Sequence, residues 1–183
     1  FQQFRAADNG LVKPEDQPRF LNCIHQEADR LAALINDILR LSQLDEGGAL
    51  PHEQVSVLEL AQEAARSLTA QAAAQAVHIS VTGTAGTVFG VRRLLYEIAR
   101  NLCENAVKYN VTVEVAETDR DVTLLVRDTG IGIPEGDQSR VFERFYRVDK
   151  SHSRAIGGTG LGLSIVKHAV AYHHGSLPRL AFQ

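Results

Sequence analysis

In the N-terminal part of the chain apolar residues return at alternating steps of three and four: Leu21, Ile24, Ala28, Leu31, Ile35 and Ile38, with Leu34 and Leu41 widening the stripe. That spacing keeps one face of an α-helix apolar and forms the seam of a coiled coil or helical bundle. One helix cannot bury such a face alone, so the pattern predicts a helix over residues 15–45 that needs partners. The preceding FQQFRAADNGLVKPED reads as the tail of another helix, ending near Asn9-Gly10 with a turn at Pro14. The expected arrangement is an antiparallel helix pair, its first helix cut short at Phe1, that dimerises into a four-helix bundle.

The pattern changes at DEGGALPHEQ, whose Gly and Pro mark a linker. Apolar spacing then predicts a helix over Val57–Ala74, a strand at VHISVT and a helix over Val91–Tyr109. The segment VTVEVAETDRDVTLLVRD alternates with period two in its first arm and predicts an antiparallel hairpin. Residues 129–162 are Gly-rich and aperiodic, and LSIVKHAVAYHH predicts a last helix. The expected fold is α+β. A helical-hairpin dimerisation segment (1–47) and a linker (48–54) precede an α/β sandwich (55–183) with helices on one face of a mixed sheet.

Composition narrows the function classes. The 183 residues are 44% hydrophobic and 22% charged with a formal net charge of −3, and no basic stripe or tail stands out, so nucleic acid is not the expected partner. The two cysteines, Cys23 and Cys103, each sit in an apolar helical pattern and read as buried, reduced thiols of a cytoplasmic protein. No apolar run is long enough to cross a membrane.

Three stretches carry candidate chemistry. NLCENAVKYN places Asn101 and Asn105 one helical turn apart, with Glu97 and Lys108 in line at helical spacing. It reads either as a solvated face, with Lys108 pairing Glu104, or as a ligand site. DTGIGIP follows directly on a strand. Asp128 accepts hydrogen bonds only, which suits an exocyclic amino donor such as that of adenine, and Gly130 and Gly132 let backbone approach a flat ligand. A plain turn explains it equally well. GGTGLGLSIV opens Gly158, Gly160 and Gly162 straight onto an apolar helix, as an anion site at a helix N-terminus does, but it is neither a Walker loop nor a Rossmann turn. Between them VFERFYRVDKSHSR sets Phe142, Phe145 and Tyr146 among basic residues, either a surface loop with an aromatic anchor or a mobile lid whose arginines reach phosphates.

In this order and spacing the motifs resemble the bacterial sensor histidine kinases of two-component systems, of the phosphate-regulon-sensor kind. The N, G1, F and G2 boxes correspond to NLCENAVKYN, DTGIGIP, VFERFYRVD and GGTGLGLSIV, and IHQEADRLAALINDILRLSQLDEG is similar to the second dimerisation helix. The resemblance covers nearly the whole chain and implies the fold of the gyrase, Hsp90 and MutL ATPase domains. It implies that Asn105, assisted by Asn101, coordinates Mg²⁺ bridging the ATP phosphates. Lys108 would meet phosphate oxygens and Tyr109 would flank the nucleotide. Asp128 would take the adenine amino group, with Gly130 and Gly132 shaping that wall. Gly158, Thr159, Gly160, Leu161 and Gly162 would admit the triphosphate, and Arg147 would stabilise the γ-phosphoryl group in transfer. The implied activity moves that group to a protein histidine for relay to an aspartate of a cognate response regulator. The implied setting is a homodimer on the cytoplasmic side of a membrane-anchored sensor.

The sequence also departs from the family. None of its seven histidines stands in the His-Glu/Asp-x-x-Thr/Asn-Pro context of the phosphoacceptor, which is expected upstream of Phe1. Asn110 meets Val111 with no Gly-containing loop between helix and strand, and GSLPRLAFQ stops short of the family's final strand. Two other functions stay open: an ATPase or ATP-gated clamp of the same fold, and a non-catalytic dimerisation scaffold. The clamps use a glutamate where Asn101 stands, and an amide is no general base.

Overall fold

The computed structural model describes residues 16–45, 50–148 and 159–177. The expected turns at Asn9-Gly10 and Pro14, the first two residues of the linker, Gly158 and the last six residues lie outside them.

Helix α1 (Gln17–Asp45) realises the long N-terminal helix. Among the described residues its seam is left open: Leu21, Leu31, Ile35, Ile38 and Leu39 are 44–59% exposed. A contiguous apolar stripe of this kind marks an interaction surface. Cys23, expected to be buried, is exposed on the same helix for the same reason, whereas Cys103 is buried. Burial pushes the Cys103 thiol up to about 11, so it stays protonated and unreactive.

Strand β1 (Glu53–Ser56) leads into helix α2 (Val57–Ser67), then α3 (Thr69–Ala74), β2 (Ile79–Gly83) and β3 (Thr87–Gly90). Helix α4 (Arg92–Ala106) is followed by the hairpin β4 (Val111–Glu117) and β5 (Val122–Asp128), the short α5 (Glu135–Gln138) and α6 (Gly162–Tyr172). Ser56 caps α2 by accepting the Glu59 N–H at 3.3 Å, in the spacing of a capping box. Where a single helix over Val57–Ala74 is expected, two form. Ser67 Oγ donates to the Ala64 carbonyl at 2.7 Å and Thr69 Oγ1 to that of Arg66 at 2.9 Å, hydroxyl bonds that compete with the helical ladder around Leu68.

The sheet is mixed, in the order β2-β4-β5, with β2 parallel and β5 antiparallel to β4. On β4, Val111, Val113 and Val115 point inward and join Val57, Ala61 and Leu68 with Cys103 and Ala106 of α4 in one core. The alternate residues Thr112 and Glu114 are exposed, and Glu114 lies 3.7 Å from Arg127 on β5. Helices therefore cover one face, as expected. Glycine is obligatory at Gly83, which has φ +126°; a Cβ there would fall 1.9 Å from the Val115 carbonyl oxygen. The β1–β3 pair, with Val55 opposite Val88, has no counterpart among the predicted elements, and β1 starts inside the expected linker.

Helix α4 also ends earlier than expected, at Ala106, so Lys108 and Tyr109 sit in the turn beyond it. Helix α6 packs along α4 through Val166 and Ala169 against Val91, Leu94 and Ile98. Leu60 of α2 is 1% exposed. Leu60→Ala is expected to cost about 2–5 kcal/mol of unfolding free energy, whereas Gln62→Ala on the exposed side should stay within about 0.5 kcal/mol. Urea denaturation followed by circular dichroism measures both.

Candidate functional site

The site assembles where the end of α4, the end of β5 and the start of α6 meet. Asn101 donates its Nδ2–H to the Glu97 carbonyl at 2.8 Å, which fixes its amide and leaves Oδ1 as an acceptor. That oxygen faces the first residue of α6: a Cβ at Gly162 would lie 2.9 Å from Asn101 Oδ1 and 3.8 Å from Asn105 Nδ2. Two carboxamides thus converge on Gly162, where a Cβ would crowd the Asn101 oxygen and meet Asn105 at ordinary contact distance. Glu97, placed on the polar face by its spacing, is buried instead. Glu104 pairs back to Arg100 at 3.5 Å, so the anticipated pair with Lys108 does not form. Lys108 is exposed in the turn.

Asp128, Gly130 and Tyr109 form the second cluster. The Gly130 N–H donates to Asp128 Oδ1 at 2.8 Å, and a Cβ at Gly130 would come within 2.5 Å of both that oxygen and the Tyr109 ring. Gly132 turns the loop with φ +72°, and Ile131 beside it is 95% exposed. Asn110, with no loop to separate it from β4, joins these parts. Its side-chain oxygen accepts the His78 N–H at 3.0 Å and its carbonyl accepts the Thr129 N–H at 3.2 Å.

The aromatic segment before Val148 rests on the glycine loop. Gly160, with φ +75°, accepts the Phe145 N–H at 3.0 Å, and its absent Cβ would meet Phe145 backbone at 3.1 Å. Tyr146 donates to Asp137, while Arg140 stacks 4.3 Å above its ring centroid. That hydrogen bond, with some desolvation, holds the Tyr146 phenol above its usual range despite the opposing Arg140 charge. Arg144 reaches His168 of α6 at 3.3 Å. Arg147 sits with Arg140, Arg144 and Tyr146 around an open groove of about 580 Å³. Leu161 is fully buried, and its N–H donates to Thr159 Oγ1 at 3.3 Å.

Thr159 Oγ1 also donates to Asp37 Oδ2 at 2.9 Å, so the glycine loop is tied to α1. Asp37 and His168 escape sequence reading, because each is one polar residue inside a helical pattern with nothing local to mark its partner. Among the described residues no cluster of three or more His, Cys, Asp and Glu could hold a metal by itself, and no helix is long and apolar enough to cross a membrane.

Residues 90–180 match the family of histidine kinase-, DNA gyrase B- and HSP90-like ATPases, and residues 5–47 match the His Kinase A (phospho-acceptor) domain. The sensor-like histidine kinase SenX3 of Mycolicibacterium smegmatis is 40% identical over 90% of this chain and 44% of its own length. Among solved structures, the mycobacterial sensor histidine kinase MprB is 30% identical with a TM-score of 0.60, over 69% of this chain and 83% of that one. Full-length ShkA in complex with AMPPNP is 25% identical with a TM-score of 0.70, over 88% of this chain and 35% of that one. The chain belongs to the sensor histidine kinases. It spans less than half the length of the curated relatives it matches.

The tie between α1 and the glycine loop is open to measurement. In a double-mutant cycle of Asp37→Ala and Thr159→Val, a coupling of about 0.5–3 kcal/mol is expected from thermal unfolding, as for side chains in direct contact. Strict additivity would mean that the hydrogen bond does not hold α1 in solution.

Proposed function

We propose that this chain is the ATP-binding catalytic core of a sensor histidine kinase, which transfers the γ-phosphoryl group of ATP to a protein histidine for relay to a response-regulator aspartate. The observation that carries the reading is the meeting of Asn101 and Asn105 at Gly162. Neutral carboxamides suit a hard cation without repelling a triphosphate. The carboxamide oxygens of Asn101 and Asn105 are hard donors that fit Mg²⁺, and these two residues would hold it together with the nucleotide phosphates. When bound, Mg²⁺ would supply charge neutralisation on the phosphates.

The remaining roles are those that the family resemblance implies. Asp128 accepts the adenine amino group, and Tyr109 packs on the nucleotide beside Gly130 and Gly132. Thr159, Gly160, Leu161 and Gly162, with Gly158 before them, pass the triphosphate. Lys108 contacts phosphate oxygens, and Arg147 steadies the transferred group from the lid. The helical segment (1–47) forms the homodimer through the exposed Leu21–Leu31–Ile35–Ile38 stripe, and the nucleotide domain begins near residue 55. The chain works on the cytoplasmic side of a membrane-anchored sensor.

An ATPase reading needs a carboxylate that activates water. Position 101 holds an amide, Glu104 is engaged with Arg100 and Glu97 is buried, so the kinase reading is favoured.

Asp128→Asn removes a charge-assisted hydrogen bond worth roughly 1.5–3 kcal/mol, so ATP affinity should fall by at least about tenfold in calorimetry. The chain should hydrolyse ATP slowly. Mixed with a bundle fragment carrying the family's acceptor histidine, it should form an acid-labile, base-stable phosphoprotein. Asn105→Asp should impair that transfer. Fast release of free phosphate with no labelled histidine would overturn the kinase reading.

A further inference from the structure

Helix α4, which carries Asn101 and Asn105, starts without a side-chain cap, because its N-cap residue is Val91. The backbone N–H of Val91 finds its acceptor on another helix: it donates to Nε2 of His173 at 3.0 Å. His173 is the C-cap residue of α6, and its Nδ1 lies 2.7 Å from the Ala169 carbonyl oxygen. A carbonyl only accepts, so Nδ1 carries the proton and Nε2 presents a lone pair. Both partners therefore select one neutral tautomer.

The two helices run antiparallel and touch at both ends. At one end Gly162 abuts Asn101 and Asn105; at the other, about 16 Å along α6 at 1.5 Å per residue, His173 holds Val91. The ring lies so close to the backbone that a Cβ at Gly90 would fall 2.6 Å from its Cδ2. Tyr172 packs edge-on against it with centroids 5.3 Å apart, and His52 lies 6.2 Å away.

We propose that His173 is a positioning residue for the nucleotide site: in its neutral form it pins α4 to α6 in the register that sets Asn101 and Asn105 against Gly162, and on protonation it releases that register. The proposal rests on the reading of that site as the nucleotide site. An imidazolium has a donor at Nε2, which would face the Val91 donor and leave both without an acceptor.

The surroundings favour the neutral ring. Desolvation by burial holds the His173 imidazole below its usual range, the Ala169 carbonyl opposes this, and nearby His52 and His174 add to the lowering. From the other elements packed here, β3 brings Phe89 and Gly90, neither titratable. The first turn of α4 brings Arg92, paired with Glu63 at 2.8 Å, and Arg93. Because the folded state prefers the neutral form, the clamp is intact at and above neutral pH and is lost as pH falls.

The test is calorimetric titration of the full chain with AMPPNP and Mg²⁺ between pH 8 and pH 5.5, for the wild type, His173→Gln, His173→Leu and His52→Gln. Titration of the nucleotide phosphates is common to all four proteins and cancels in their ratios. Wild type and His52→Gln should lose affinity toward acid pH relative to His173→Gln, whose amide oxygen accepts from Val91 at every pH. His173→Leu should bind weakly throughout. Should the variants fail to fold, nitrogen NMR of the wild-type imidazoles decides: the Nδ1–H tautomer of His173 should disappear in step with AMPPNP affinity. Parallel pH profiles for wild type and His173→Gln, or a His173 titration out of step with affinity, overturn the clamp alone. No AMPPNP binding by the wild type at pH 8 overturns the clamp together with the nucleotide reading.

Discussion

The antiparallel contact between α4 and α6 is the interaction on which the rest of the molecule depends. It brings the amide-bearing turn of one helix against the amino-terminal glycine of the other, and it does so at van der Waals range. A single methyl group at Gly162 would crowd the Asn101 carboxamide, so the absence of a side chain there is a structural requirement of the site. Val166, Ala169, Leu94 and Ile98 bury the length between the two ends. Apolar burial of this kind is strong but not directional, and cannot choose a register alone. The polar contacts at the ends choose it.

The candidate site is built from loops hung on this rigid pair. Asp128 lies at the last residue of a paired strand, Tyr109 in the turn after α4, and the aromatic segment is joined to the glycine loop through Phe145 and Gly160. Residues assigned a role, or their neighbours, are restrained by hydrogen bonds: Gly130 to Asp128, Asn101 to Glu97, Tyr146 to Asp137. Such pre-set donors and acceptors bind charge with little reorganisation, which is what phosphoryl transfer asks of a protein.

The long helix adds a second level of organisation. Its apolar stripe is turned to solvent in the single chain, while Asp37 on the same helix meets Thr159 in the glycine loop. One element thus offers a surface for another chain and also touches the loop assigned to phosphates. Asp37 and Thr159 thus join α1 to the glycine loop directly.

Much of this was legible in one dimension. The 3-4 spacing of Leu21 to Ile38, the period-two alternation of Val111 to Val115 and the glycine spacing after Gly158 are local signals, and local signals dictate α1, the hairpin and the motif order. Asn101, Asn105, Asp128 and Gly162 stand out as candidates for the same reason. What stayed hidden depends on partners far away in sequence. The β1–β3 pair uses strands of only four residues, too short for a period to declare itself, and it exists because Val55 and Val88 meet in space. The break at Leu68 follows from hydroxyl-to-carbonyl bonds that a periodicity does not register. His173 and Asp37 look like ordinary helix residues until the fold sets Val91 and Thr159 beside them. The sequence by itself determined the long helix, the β4–β5 hairpin, the last helix and the order of the motifs. Only the tertiary structure decided which of their groups touch, because a hydrogen bond between residues 82 or 122 positions apart leaves no local trace.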